Sequence, residues 1–535
     1  MRESGLPTPA RGYDASIMPT TRRRQSRRRL LAVLAALVTA AIAVAGCAGS
    51  SGAGTGTDPA SLVPASAPVY VEAVLAGNGR EQQEAQAALQ KILGTANPQG
   101  QIAALFDQSG VQFARDVEPW LGDRVGAATL SFGRTGDRVV VAASRDDTAA
   151  SAALGRILPG ASERSYRGVS YRVATKDGRP IAAAVVGDAV VFGSENALKA
   201  AIDASKGSSL AESDQLKQAR STVRQERSGL LYVDVAGVLR QALGASGGGA
   251  AQLAPFVDPV AQALPRTFAA ALDAEPGLLR VDSAAFGNGG GTPASGSGAN
   301  ALAGLPGDAW LGLGVGELGK TVNGFIDRVS QGNGLAGVGI QALLAQAQQG
   351  LGLDIRRDVL AWMGDAGVFV TGASGDEAQA ALVVASKDPA ATRRAVDAFE
   401  RLVRDNGGSV SALHASGVDQ GFAVQRDNRR PDLLVAAAGD NFVLAGGRTA
   451  LEQAISPSVR LGDAAAFRDA AAKLSSGVQP SFFVDVQKLN RLASAAKSDA
   501  HARDLQQRLR AFGAVVGGAK RDGDVTRGEA VATLP

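Results

Sequence analysis

Arg115–Asp123 reads RDVEPWLGD, and Arg357–Asp365, 242 residues downstream, reads RDVLAWMGD. Pro64 and Pro306, near the openings of the two surrounding segments, keep the same separation. A register held over about 60 residues marks an internal repeat, which sets architecture before it sets chemistry. Other pairs follow outward. The strand-like LLYVDV of Leu230–Val235 answers SFFVDV of Ser481–Val486, and the turn Gly187-Asp188 answers Gly439-Asp440.

The elements inside each copy share one grammar. In the first, Pro68–Leu75 reads as a strand and Glu81–Leu93 as a helix, with Ala88, Leu89, Ile92 and Leu93 on one side. Val125–Phe132 and Arg138–Ala143 form a strand pair around Gly133–Gly136, and Thr148–Leu158 reads as a helix. Tyr171–Thr175, Ile181–Val186 and Ala189–Phe192 are separated by Asp177-Gly178 and Gly187-Asp188, which are hairpin signals. Helices at Asn196–Asp203 and Leu210–Arg224 and a hairpin at Phe268–Leu272 and Leu278–Phe286 complete the copy. The second runs through Ala309–Val315, a helix from Val322, strands at Gly367–Val370 and Ala380–Ala385, and a helix over Pro389–Val403. Leu433–Ala438, Asn441–Ala445 and a hairpin at Ala514–Gly518 and Thr526–Thr533 finish it. Short turns between strands, with helices inserted between hairpins, predict an α+β fold: two tandem duplicated copies, each a mainly antiparallel sheet with packed helices. The copies span 61–286 and 301–535, and FGNGGGTPASGSGAN places a Gly/Ser linker at 287–300. Two separate domains and one sheet joined edge to edge both fit this pattern.

The amino terminus carries a different message. Arg22–Arg24 and Arg27–Arg29 precede 16 uncharged residues, Leu30 to Ala45, which end in Val44-Ala45-Gly46-Cys47. A basic, then apolar, then small-residue order is the secretory pattern, so 1–46 reads as a lipoprotein signal peptide. The apolar run is also shorter than the roughly 18–20 residues of a membrane span. Val44-Ala45-Gly46-Cys47 resembles a lipobox, and Cys47, the single cysteine, is the expected lipidation site. Gly/Ser/Thr-rich residues after it make 47–60 a flexible tether. Ser26–Leu31 (SRRRLL) also resembles a twin-arginine export motif, and Met18 is an alternative start. The expected location is the extracytoplasmic face of the cell membrane, held by lipid.

Charge excludes one partner class. Residues 1–46 hold eight Arg against Glu3 and Asp14, a net +6, whereas the whole chain carries +4. The remainder is therefore at −2, and the basic pI of 9.2 belongs to the signal segment. No nucleic-acid binding is expected from such a body.

The paired RDVxxW(L/M)GD motifs and aromatic-VDV strands, with the openings Leu62-Val63-Pro64-Ala65 and Pro68-Val69-Tyr70-Val71, resemble the bacterial domain of unknown function 3352 family, of the actinobacterial lipoprotein type. The resemblance runs from Leu62 to the carboxy terminus, and it implies no catalytic residues because the family has no established activity.

Physically, Trp120 and Trp362 read as core anchors at a helix end, each able to bury ~150–250 Å². Arg115 with Asp116, and Arg357 with Asp358, read as caps or local ion pairs. Gly122-Asp123 and Gly364-Asp365 suit a turn into the next strand. A ligand-stacking role for the tryptophans is the sharper alternative. Gly314–Thr321 (GVGELGKT) fits the phosphate-loop pattern GxxxxGK[ST], with Asp485 as a possible magnesium carboxylate. The corresponding stretch Glu72–Gly79 has Asn78 where the lysine belongs, and Asp234 repeats Asp485, so both read as structural. His414 and His501 are the only histidines, and Asp522-Gly523-Asp524 reads as a hairpin turn rather than a calcium loop. No HExxH, GxSxG or paired-cysteine pattern occurs. Gln341–Leu351 and Leu489–Phe512 read as amphipathic helices, with a specialised surface expected near Gly332–Gly350, where the copies differ most. The expectation is a non-catalytic envelope lipoprotein without cofactor or metal, binding another envelope protein, a cell-wall polymer or a lipid. A carrier of lipid or another apolar ligand is the first alternative, and an extracytoplasmic hydrolase the second.

Overall fold

The computed structural model describes residues 56–535 except for short internal stretches, of which the longest are 245–264, 288–295, 332–340, 426–432 and 496–505. The signal segment, Cys47 and His501 lie outside the described residues, as do 343, 346–347 and 350–351 within Gln341–Leu351 and 496–505 and 507–508 within Leu489–Phe512.

Among the described residues, ten strands come first: β1 Val69–Val74, β2 Leu121–Thr129, β3 Arg138–Ser144, β4 Ser162–Tyr166, β5 Val169–Lys176, β6 Arg179–Val185, β7 Ala189–Gly193, β8 Gly229–Asp234, β9 Thr267–Glu275 and β10 Leu278–Phe286. Ten more follow: β11 Leu311–Val315, β12 Met363–Thr371, β13 Gln379–Ser386, β14 Val410–Ala412, β15 Gln420–Val424, β16 Leu433–Ala438, β17 Asn441–Gly446, β18 Pro480–Asp485, β19 Ala514–Asp522 and β20 Val525–Thr533. Every pair is antiparallel. From one edge the order is β4-β5-β6-β7-β3-β2-β1-β8-β9-β10, then β20-β19-β18-β11-β12-β13-β17-β16-β15-β14. The chain thus folds into one continuous sheet, joined where β10 lies against β20. The order is the same from either edge, so a pseudo-two-fold axis passes through that seam. Asp282 faces Glu529 at its centre.

Helices fill both faces. In chain order they are α1 Gly79–Leu93, α2 Asp147–Ile157, α3 Glu195–Ala204, α4 Asp214–Thr222, α5 Val235–Gly244, α6 Gly296–Ala303, α7 Leu318–Gln331, α8 Pro389–Asp405, α9 Arg448–Ile455, α10 Ala465–Ala471 and α11 Val486–Ala495. Alternation along the strands splits the core by parity. On the upper face, Val139, Val141, Ala182, Ala184 and Val191 pack under Leu198 and Ile202 of α3 and Leu216 of α4. In the second half the upper face sets Phe369, Val443 and Phe483 under Leu302 of α6, Leu451 of α9 and Phe467 of α10. The lower face packs Val140, Ala142 and Val190 on Leu154 of α2, and Val384 and Phe442 on Val396 of α8. Helix α1 crosses the lower face near the seam, where Ala85 and Ala88 meet Ala274 and Leu534.

Local signals explain the helix starts. Asp146 and Asp388 accept the backbone N–H of Ala149 and Ala391 at 2.9 Å, and Pro389 occupies the first turn of α8. Ser213 caps α4 by accepting from Leu216, which splits the predicted Leu210–Arg224 helix into a short turn at Leu210–Glu212 and α4. Two expected boundaries shift. Asp58–Ala60, read as tether, is built into the fold because Pro59–Leu62 makes a tight helical turn with Ala60 fully buried. Gly296–Asn300, read as linker, begins α6.

A braced sheet edge gives a pH prediction. Glu195 at the start of α3 receives Lys199 at 2.9 Å, Tyr171 Oη at 2.8 Å and Arg164 at 2.7 Å. Lys199 first, then Tyr171 and Arg164, hold its carboxyl down to about 2, against a smaller opposing effect of burial. The depressed value makes this brace fully effective above the ordinary glutamate range. It is lost as pH falls from about 4.5 towards 2. A Glu195→Gln variant should show a shallower acid-unfolding curve over that window. A curve parallel to the wild type would count against the brace.

Candidate functional site

The repeated motif forms the same small construction in both halves. Arg115 grips Asp116 through Nε and Nη2, both at 2.8 Å, and Arg357 grips Asp358 at 2.8 and 3.0 Å. Asp116 Oδ2 accepts the Gln112 N–H at 3.1 Å, and Asp358 Oδ2 accepts that of Asp354 at 2.9 Å. The aspartate carbonyls then receive the indole N–H four residues on: Trp120 to Asp116 at 2.7 Å and Trp362 to Asp358 at 2.9 Å. Each carboxylate closes a turn, at Phe113–Asp116 and at the wider Ile355–Leu360, while each indole drops into the lower-face core. Arg115 holds the Asp116 carboxyl well below the usual range, helped by Arg156 and the Gln112 N–H and outweighing burial. Arg357 and the Asp354 N–H act likewise on Asp358.

The Gly-Asp pair of the motif is not a turn. Gly122-Asp123 and Gly364-Asp365 lie inside β2 and β12, at irregularities in their pairing with β3 and β13. A Cβ on Gly122 would stand 2.9 Å from the Ala143 carbonyl oxygen, and one on Gly364 2.8 Å from that of Ala385. The glycine admits the neighbouring strand at a bulge. Gly122→Ala and Gly364→Ala should each destabilise by about 1–3 kcal/mol, the usual scale for overpacking. Urea midpoints within error of the wild type would refute the close-approach role.

The phosphate-loop lookalike is engaged structurally. The Glu317 N–H donates to Asp365 Oδ1 at 2.9 Å, so the last residue of the motif takes a backbone group that a phosphate would need. Lys320 pairs with Glu317 at 3.1 Å, and Glu317 also pairs with Lys387. Asp485 Oδ1 accepts the Lys488 N–H at 2.8 Å and Asp234 Oδ1 accepts that of Gly237 at 3.0 Å, so both cap the helix after the VDV strand. His414 is exposed. Gly523-Asp524 forms the β19–β20 turn between the paired Asp522 and Val525, with Gly523 at φ 59°. Among the described residues no group of three or more His, Cys, Asp or Glu gathers as metal ligands.

Two charged clusters escaped sequence reasoning. On the upper face of the first half, Arg220 of α4 binds Asp58 at 2.5 and 3.0 Å and also Glu72 of β1, while Tyr70 Oη donates to Glu72 at 2.9 Å. Tyr70 and Glu72 are buried. Burial, then the Glu72 charge, pushes the Tyr70 hydroxyl up. Burial works against the Arg220 cation, yet Asp58 and Glu72 more than offset it and raise its affinity for the proton. At the corresponding positions of the second half stand Gly312, Gly314 and Ala471, and α6 presses directly on the sheet. A Cβ on Gly314 would meet Gly298 O at 2.1 Å and Leu302 Cβ at 2.8 Å. One half thus seats its opening segment with charge, the other with bare backbone.

The second cluster spans the seam. Arg280 binds Glu275 at 2.6 and 3.0 Å and also Glu529, whose Oε1 accepts the Ser475 N–H at 3.0 Å. Arg224 reaches Asp282 at 2.9 Å and Glu275 at 3.4 Å, and Arg527 donates to the Thr222 carbonyl at 2.7 Å. Arg280 holds the Glu275 carboxyl below its ordinary range.

These features define an α+β protein with one large antiparallel sheet, packed helices on both faces, and buried ion pairs that serve the fold. The chain belongs to DUF3352, a family described as proteins of unknown function, whose model matches residues 30–533. No curated protein matches it. Solved structures of TP0453 in crystal forms I, IV and III are similar at 10%, 14% and 14% identity, with TM-scores of 0.25, 0.25 and 0.24. They cover 44%, 43% and 43% of this chain and 81%, 80% and 81% of their own. So loose a likeness carries no argument.

Proposed function

We propose that this chain is an extracytoplasmic lipoprotein, anchored through Cys47, that works by binding rather than by catalysis. We further infer that its two halves arose by tandem duplication of one unit. What carries the binding reading is where the strongly perturbed charges are used. Asp116, Glu195 and Arg220 are engaged in a turn, a helix brace and the opening-segment cluster respectively. Shifted groups in a cleft would point to acid–base chemistry; here these three have structural partners that account for them.

One observation favours an apolar ligand as the thing bound. Leu313 and Val315 of β11 and Phe325 of α7 are 41%, 38% and 45% exposed. The first-half counterpart of Val315 is Ala73, buried in the cluster that holds Phe106. A carrier of lipid, or a surface that takes an apolar partner, uses such a face.

The test is purification from an envelope-bearing bacterial host under gentle detergent, followed by native mass spectrometry. Bound lipid that is lost in Leu313→Asp supports the carrier reading. Repeated absence of any adduct removes it and leaves recognition of an envelope partner, to be sought by crosslinking. Hydrolase activity abolished by one polar substitution would overturn the non-catalytic reading. Acyl mass on an amino terminus beginning at Cys47, absent in Cys47→Ser, is expected by mass spectrometry, and a mature amino terminus without acyl mass would refute the lipid anchor.

A further inference from the structure

The two halves close one place differently. In the first, Ala73 on the lower face of β1 is buried in a cluster with Phe106 and Val111. The residue 242 positions after Ala73 is Val315, and the one 242 after Phe106 is Gln348, which is exposed. The first helix of each half also takes a different path. Helix α1 reaches the seam, where Ala85 and Ala88 meet Ala274 and Leu534. Helix α7 is held instead to the turn at Ile355–Leu360, with Arg356 on Asp327 at 2.7 Å.

The result is an apolar recess on the lower face of the second half. Val315 faces Ala366, and Leu313 faces Val368 on one side and Phe482 on the other. Residues directly opposed across strands share a face. Leu318, Val322 and Phe325 form one line along α7, and Leu318 packs against the lower-face core that holds Ala366. The line therefore runs out over the sheet. Val322 is half-buried and Phe325 is 45% exposed, with Leu313 at 41% and Val315 at 38%.

Two properties select the occupant. Strand β11 is bonded to β12 on one side and to β18 on the other, so its backbone groups are taken. A peptide laid on it would lose water from its own N–H and C=O groups with nothing in exchange, whereas a hydrocarbon chain loses nothing. The exposed surface of Leu313, Val315 and Phe325 comes to roughly 250 Å², far below the about 800 Å² per partner of a stable protein interface.

Resting on the binding reading above, we infer that the recess between α7 and β11 takes a single acyl chain, and that Phe106 fills the equivalent place of the first half. The ligand is a fatty acid or an acyl lipid, one per protein.

Tryptophan quenching tests both parts. Trp362 shares the cluster of Ala366, beside the recess, and Trp120 shares the cluster of Phe106. The full chain carries Cys47→Ser, so that no acyl group of its own competes, and keeps one tryptophan, the others being phenylalanine. Stearate brominated at mid-chain, and a lysophosphatidylglycerol of the same chain, are titrated separately; whichever quenches names the source. Trp362 should be quenched, saturating at one ligand per protein, and Trp120 should not. Phe325→Asp, at an exposed position, should raise half-saturation at least fivefold. Phe106→Ala should make Trp120 quenchable and add a second ligand. Trp362 left unquenched by both probes, equal quenching of Trp120, or an unchanged curve in Phe325→Asp overturns the site. Trp120 still unquenched in a folded Phe106→Ala chain overturns the role of Phe106. A failed site leaves the non-catalytic reading standing, with an envelope partner as what is bound. Hydrolase activity would remove that reading and leave the quenching result in force.

Discussion

Replacing Trp362 by alanine should lower the unfolding free energy by about 3–5 kcal/mol, the usual range for emptying a large aromatic site. The ring is 2% exposed, sits 5.6 Å from the Phe442 ring and packs among Val384, Val396 and Ala395. Its indole N–H also satisfies the Asp358 carbonyl. Alanine thus leaves both a cavity and an acceptor without its donor, the latter adding about 1–3 kcal/mol where water cannot enter. Trp120→Ala should behave alike, since that ring is 3% exposed and makes the matching bond to Asp116. Phenylalanine at either position refills most of the volume and should recover more than half of the loss. The comparison separates two readings of the motif. A tryptophan kept for stacking a ligand would tolerate alanine with little change in the urea midpoint, and that outcome would refute the core role.

The motif was legible in sequence because all its parts are local. Arg, Asp and Trp act within six residues of one another, and a repeat announces itself. The aspartates of the VDV strands were equally readable as structural, and each caps the helix that begins at the next residue. The Gly-Asp pair misled. Glycine next to aspartate signals a turn, but a bulge inside a strand leaves the same trace, and only the neighbouring Ala143 and Ala385 carbonyls distinguish them. The Asp58–Arg220–Glu72 cluster was out of reach, because Asp58 and Arg220 lie 162 residues apart and the second half lacks the charges. The choice between two domains and one sheet was open for the same reason. It depends on β10 meeting β20, a pairing that no local pattern encodes.

That pairing supports the second large prediction, which concerns coupling between the halves. At the seam the two equivalent positions, Asp282 and Glu529, face each other as like charges, an arrangement that is unfavourable unless cations intervene. Arg280, 9% exposed, is the cation between Glu275 and Glu529, and Glu529 is 4% exposed. Exchanging the pair for apolar residues of similar size is often nearly neutral. Removing one partner leaves a buried charge and costs about 3–5 kcal/mol. Arg280→Ala should therefore destabilise on that scale, whereas the double variant Arg280→Met, Glu529→Leu should recover much of the loss. The pH response also has a definite sign. Arg280 holds the Glu275 carboxyl below its ordinary range, so that part of its contribution is lost on acidification and the deficit of Arg280→Ala should shrink as pH falls below the ordinary glutamate range. Strand ends are shared across the seam: Leu278 of β10 belongs to the core of the second half, and Val525 of β20 packs against that of the first. Weakening the seam should thus loosen the two halves from each other before either melts. Emission from Trp120 in a variant with Trp310 and Trp362 replaced by phenylalanine would follow the first half, and the converse variant the second. The parent should give coincident transitions and Arg280→Ala separated ones. A seam whose arginine can be removed with both transitions unmoved would be a contact between two independent domains, and the continuous sheet would have no energetic meaning.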